Sequence, residues 1–126
     1  MAPQLQPFRP IDAGRIALDR SAVADDQVTD GAPTTGSVAL GSANGAELGL
    51  WEMSVGGMRD VEVDEYFVVL SGEATVTLWE HGAEVDRIEL RPGTLCRLAA
   101  GSHTRWDVRE TLRKVYVLGA PAEPQR

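Results

Sequence analysis

Residues 64–72 read DEYFVVLSG, two carboxylates ahead of a run of strand-forming apolar residues that closes on Ser71 and Gly72. In a strand, successive side chains point to opposite faces. Carried through the preceding Asp60, Val61, Glu62 and Val63, that alternation groups Glu65 with Val63, Phe67 and Val69 toward an interior and turns Asp64 to water. Beyond Tyr66 both faces are apolar, as expected when a second layer covers the sheet. A buried carboxylate without a partner is costly. Glu65 is therefore expected to meet a partner, a ligand or a metal.

Working outward, the same punctuation recurs. SVAL (37–40) is a short strand, GSANG (41–45) a turn, and AELGLWEMSV (46–55) a longer strand ended by Gly56 and Gly57. After the 58–72 segment, EATVTLWE (73–80) and VDRIEL (85–90) flank HGAE (81–84), a tight hairpin turn centred on Gly82. Pro92 and Gly93 suit the two central positions of a further turn. TLCRLAAG (94–101), TRWDV (104–108) and LRKVYVL (112–118) supply the last strands. The first 36 residues are Pro-broken and turn-rich, a peripheral arm holding at most a helical turn or one strand near GRIAL (14–18). Residues 37–120 form the barrel, and 121–126 a frayed tail. About eight short strands with no convincing helix predict an all-β, single-domain jelly roll.

The 126 residues suit one domain, and 43% hydrophobic against 25% charged residues is globular composition. A net charge of −7 leaves no basic stripe for phosphates, so neither nucleic acid nor an anionic membrane is an expected partner. One cysteine, Cys96, excludes an internal disulfide and a multi-cysteine zinc site. The opening residues hold no uninterrupted apolar stretch of signal or membrane type, and a cytoplasmic location is expected.

The segments GLWEMSVGG (49–57), DEYFVVLSGEATVTL (64–78), RPGTLCRLAAG (91–101) and TRWDVRETLRKVYVL (104–118) together resemble the two-motif core of the cupin superfamily. More narrowly they are similar to small single-domain cupins related to the ureidoglycine aminohydrolase cupin domain. The resemblance implies a jelly-roll β-barrel, a cavity around Glu65, a homodimer, and a small organic, nitrogen-containing ligand. Metal-binding cupins pair this glutamate with three histidines. Here the corresponding positions hold Arg59 and Val61, or Met58 and Asp60 in the other register, and Thr104 in the second motif. No tightly bound cofactor is therefore expected. A divalent transition metal is the alternative, and it would have to recruit Glu65, Asp60, His103 or Cys96.

Candidate roles follow. Glu65 is the catalytic candidate, a cavity carboxylate able to move a proton, and the alternative is an ion pair with Arg59, Arg97 or Arg105. Trp51, Met53 and Trp106 would line a pocket for a partly apolar or cationic ligand, with Thr104 beside them. Arg59 or Arg97 would clamp a carboxylate. Cys96 is either a nucleophile activated by His103 or an inert core thiol. Tyr66 and Tyr116 either project a phenol inward or sit at a layer boundary. His81 is expected to be exposed at a hairpin tip. Asp60, Glu62 and Asp64 read as a solvated strand face or a cation site.

Overall fold

The computed structural model describes residues 4–119. Among them every regular element is a β-strand: β1 (Ser21–Ala22), β2 (Val28–Asp30), β3 (Thr34–Ala43), β4 (Ala46–Met53), β5 (Gly56–Val61), β6 (Glu65–Glu80), β7 (Ala83–Leu90), β8 (Leu95–Leu98) and β9 (His103–Leu118). The expected frayed tail lies outside the described residues.

Strands β6 and β9, of 16 residues each, form the spine. They pair antiparallel from Glu65↔Leu118 to Trp79↔His103. The free edge of β9 takes β4 along Glu47↔Leu118 to Met53↔Leu112, then β5 along Gly56↔Val108 to Val61↔His103. The free edge of β6 takes β8 at one end and β7 at the other. Each spine strand thus belongs to two leaves, one built on β1, β3, β4 and β8, the other on β2, β5 and β7. The leaves close on a shared core, in which Met53, Phe67, Leu112 and Tyr116 of the first meet Met58, Val76, Trp106 and Val108 of the second. This is the all-β jelly-roll architecture.

The fold turns on Ser71–Gly72. The sequence suggests a turn there, but β6 runs straight through, and its pairing with β9 slips between Val69 and Ala74. Gly72 sits at φ +95°. An extra residue in one strand exchanges the faces beyond it. Accordingly the buried apolar residues change from odd numbers, Phe67 and Val69, to even ones, Ala74 and Val76. The bulge bends the spine so that one strand can serve both leaves.

Three boundaries differ from the sequence reading. The chain reverses at Ser54–Val55, so Gly56 and Gly57 open β5 instead of closing β4. Their lack of side chains lets β2 and Pro33 pack close, since a Cβ on Gly57 would strike the Thr29 hydroxyl. Strand β3 begins at Thr34 and extends to Ala43, through residues read as a turn. The arm carries two short strands instead of one, neither at residues 14–18, and β1 and β2 lie on the edges of β3 and β5. Ahead of them the Leu5 amide donates to the Leu40 carbonyl (2.7 Å), and Arg113 Nη1 donates to the Ala13 carbonyl (2.9 Å). The arm is thereby fastened to the outer face of the first leaf.

Candidate functional site

Alternation along β9 sends Leu112, Lys114 and Tyr116 into the core, and alternation along β4 brings Trp51 and Met53 beside them. Glu65, at the head of β6, faces the same space. Its Oε2 accepts a hydrogen bond from Lys114 Nζ at 2.6 Å, and the two side chains are only 11% and 5% exposed. The ammonium also lies 4.7 Å from the Trp51 ring centroid, 4.4 Å from that of Phe67 and 4.7 Å from that of Trp106. Three π faces and a carboxylate therefore surround one cation. Each desolvated cation–π contact contributes on the order of 1–2 kcal/mol, which helps to offset removing the charge from water. The two indoles lie 5.3 Å apart at 54°.

A second polar group adjoins it. Glu62 is buried, and its Oε2 accepts from the Thr104 hydroxyl at 2.5 Å and from Trp106 Nε1 at 2.9 Å. Its backbone is held as well, the amide donating to Ser102 O and the carbonyl accepting from Gly101 N. This corrects the expected solvated acidic row. Strand β5 stops at Val61 and β6 starts at Glu65, so residues 62–64 form a link in which strand phase does not persist. Glu62 turns inward, whereas Val61 and Val63 are exposed. Asp64 stays outside, where its Oδ1 accepts from the Ala100 amide at 3.0 Å.

Asp60 is half-buried on this side, and its carboxyl is pushed above the ordinary range by burial first, then by the charges of Glu62 and Glu65. Its folded form favours the proton, so stability is greatest below the unfolded carboxylate range and falls as pH rises through the raised value. Asp60→Asn keeps an oxygen for the Val61 amide that Oδ1 now accepts. The variant is expected to melt higher than the parent at neutral pH, with the gain vanishing in acid. Calorimetric scans across pH check this, and a lower midpoint at neutral pH would contradict it.

Tyr116 lies in the core, its hydroxyl donating to Glu47 Oε2 at 2.8 Å. Burial first, then that bond and the charges of Glu47 and Glu65, raise the phenol beyond any physiological titration. Gly49, directly across from Tyr116, leaves the ring its room, since a Cβ there would collide with the phenol oxygen.

Of the residues predicted for the site, Glu65, Trp51, Met53, Thr104, Trp106, Tyr116 and Cys96 are thus gathered on the inner side. Arg59, Tyr66 and Arg97 are not. Tyr66 is 57% exposed, stacks under the Arg97 guanidinium (5.7 Å), and Arg97 pairs loosely with Asp64 (3.7 Å). Neither arginine reaches Glu65, and Lys114 is its cation instead. His103 falls on the outer face, in register with Val61 and Trp79. Cys96 has only a weak contact with the Arg97 carbonyl (3.7 Å), and burial pushes its thiol upward. Iodoacetamide at neutral pH is expected to label it slowly, faster as pH rises. Prompt labelling at neutral pH would restore the nucleophile reading.

The residues present do not fit a transition-metal centre. Among the described residues no three His, Cys, Asp or Glu side chains are grouped so as to hold a metal ion, and Glu65 Oε2 is already bound by the Lys114 ammonium. The described residues also contain no helix long and apolar enough to cross a membrane.

Lys114 escaped the sequence reading, and Glu62 entered it only as a member of the acidic row, without its inward direction. A signal existed for the first, because Leu112, Lys114 and Tyr116 share a phase. None existed for Glu62, whose orientation depends on where β5 ends.

Known structures share this architecture at low identity. A protein with unknown function from Pseudomonas syringae superposes with a TM-score of 0.66 at 18% identity, over 82% of this chain and 44% of that one, so the chain spans less than half of it. The Clostridium difficile EutQ protein gives 0.63 at 16%, covering 88% and 86%. A cupin superfamily protein from Desulfitobacterium hafniense gives 0.61 at 16%, covering 94% and 96%. At such identities the likeness establishes the fold. No curated protein matches. The sequence model for the EutQ-like cupin domain matches residues 40–116, which reach from β3 through β9 and include Trp51, Glu62, Glu65 and Lys114, and the chain belongs to that family.

Proposed function

We propose that the chain binds a small nitrogen-bearing organic molecule at the acidic side of the barrel interior, without a tightly held metal. The observation that carries this reading is a charge imbalance: the half-buried Asp60 feels the charges of both Glu62 and Glu65 there, with Lys114 as the cation among them. Three carboxylates against one ammonium leave hydrogen-bond acceptors in surplus, and a ligand rich in N–H donors meets that surplus. The indoles and Met53 supply its apolar contacts. The likeness to ureidoglycine aminohydrolase cupins supports a ureido or amino compound as the ligand class. Glu65 would act on such a ligand only once its carboxylate is released from Lys114, so binding is the primary reading and turnover a separate one.

Thermal unfolding of protein prepared without added metal, titrated with ureido compounds and small amines, tests this. Binding to the native state raises stability by about 2.7 kcal/mol at a hundredfold excess over Kd. A saturable rise that weakens in Asp60→Asn is expected, with carboxylate analogues lacking nitrogen giving none. No response across the panel, or an undiminished one in Asp60→Asn, overturns the reading. Product detected by mass spectrometry would make the chain an enzyme.

A further inference from the structure

A separate cleft of about 560 Å³ opens at the far end of the second leaf. Arg59 and His103 come to it from β5 and β9, Arg105 and Trp79 from β9 and β6, His81 from the β6–β7 hairpin tip, and Gln27 from the arm. The phases place these strand side chains on the outer face: Met58, Trp106 and Val76 fill the core, so Arg59, Arg105 and Trp79 point the other way. Glu65 and Lys114 do not line the cleft, whereas Asp60 and Thr104 stand between it and the interior site and border both.

Its charge is unusual for this chain. The protein carries −7 overall, yet both of its histidines and two arginines converge here. Arg59 and Arg105 are direct cross-strand neighbours. In antiparallel pairs that position brings Cα atoms to about 4.5–5.5 Å, and like charges so placed repel. Two carboxylates stand against them: Arg105 Nε donates to Asp107 Oδ2 at 3.0 Å, and the half-buried Asp60 also lines the cleft, its Oδ1 accepting from the Val61 amide. Among the described residues the Arg59 guanidinium, His81 and His103 have no hydrogen-bonding or ion-pair partner for their side chains. Arg105 also lies over the Trp79 ring at 5.8 Å, so a flat aromatic surface borders the cations.

We propose that this cleft is a binding site for a small organic anion, a carboxylate or phosphate monoester attached to a planar ring. Arg59 and Arg105 grip the oxygens as a fork. Trp79 stacks on the ring, and His81, His103 and Gln27 donate at the rim. The anion bridges two guanidinium groups that otherwise repel.

The test uses the full chain with four probes: phenyl phosphate, phthalate, inorganic phosphate and benzylamine. Because the chain has two histidines, their ring-proton resonances report the cleft directly, and calorimetry gives the affinity. The ring-bearing anions are expected to bind one per chain with Kd of about 1 mM or tighter, shifting both histidine signals. Arg59→Glu is expected to weaken them about tenfold or more, and Arg59→Lys less. Arg59 has no side-chain partner to lose, and Arg59→Glu relieves its repulsion with Arg105, so neither variant is expected to melt below the parent, which separates loss of binding from loss of fold. Absence of saturable binding by either ring anion, or full binding in Arg59→Glu, overturns the site. Inorganic phosphate binding as tightly as phenyl phosphate overturns the role of Trp79, and benzylamine binding in the cleft overturns the anion preference. None of these results depends on amine binding in the interior.

Discussion

Replacing Lys114 with methionine is expected to lower the unfolding free energy by about 3–5 kcal/mol, the usual penalty when one member of a buried ion pair is removed and the other stays behind. Methionine fills much of the same volume, so the loss reports charge and not a void. Glu65 would be left with its carboxylate 11% exposed and no cation at Oε2. The three aromatic rings that now face an ammonium would face a thioether, a weaker contact. Urea unfolding of parent and variant measures the difference. The paired variant Lys114→Met with Glu65→Leu supplies the decisive comparison: removing both charges is expected to recover most of the stability, because the pair itself offers little net gain over apolar packing. If Lys114→Met alone loses less than about 1 kcal/mol, the pair is effectively solvated and the cage has no energetic meaning.

Gly72→Ala is expected to cost about 3 kcal/mol or more. Two penalties add there. Gly72 has φ +95°, and a methyl group would run into the Thr111 carbonyl and the Leu112 Cα, both backbone atoms that cannot swing aside. The conformational part alone is about 1–3 kcal/mol, and forced overlap adds a similar amount. Gly82 provides the control. It too has positive φ (+77°), but a methyl there meets nothing within 4 Å. Gly82→Ala is expected to lose only the conformational part, about 1–2 kcal/mol. Equal losses at the two positions would mean that the bulge gives way, and that the bend of the spine is not held by the contact with β9.

These two residues also mark the limits of what the sequence conveys. The strands flanking HGAE and RPG were legible because Gly82, Pro92 and Gly93 fix turn chemistry locally. Ser71–Gly72 carries the same small-residue signature, yet it is a bulge, and the difference lies in Thr111, 39 positions away from Gly72 along the chain by subtraction of their numbers. The inward direction of Glu65 was legible from Phe67 and Val69, which follow it in one uninterrupted strand. The directions of Glu62 and Val63 were not, since the alternation that would place them crosses the gap between β5 and β6. Likewise the partner of Glu65 comes from β9, and nothing near position 65 distinguishes Lys114 from the arginines that the sequence also offers. Local rules settled turns and phases within a strand. Pairings between distant strands settled the site.

The two long spine strands have a consequence for how the molecule comes apart. Because β6 and β9 each serve both leaves, neither leaf owns a complete set of backbone partners, and peeling one away strips the other of its central ladder. Sub-global opening, which in many domains lets one lobe loosen while its neighbour stays protected from solvent deuterium, has no natural dividing line here. The amides along the mutual edge of β6 and β9 would then exchange together and only through whole-molecule unfolding, while β1 and β2 at the rims exchange early. A protein so connected holds its interior and its outer cleft on a single cooperative unit.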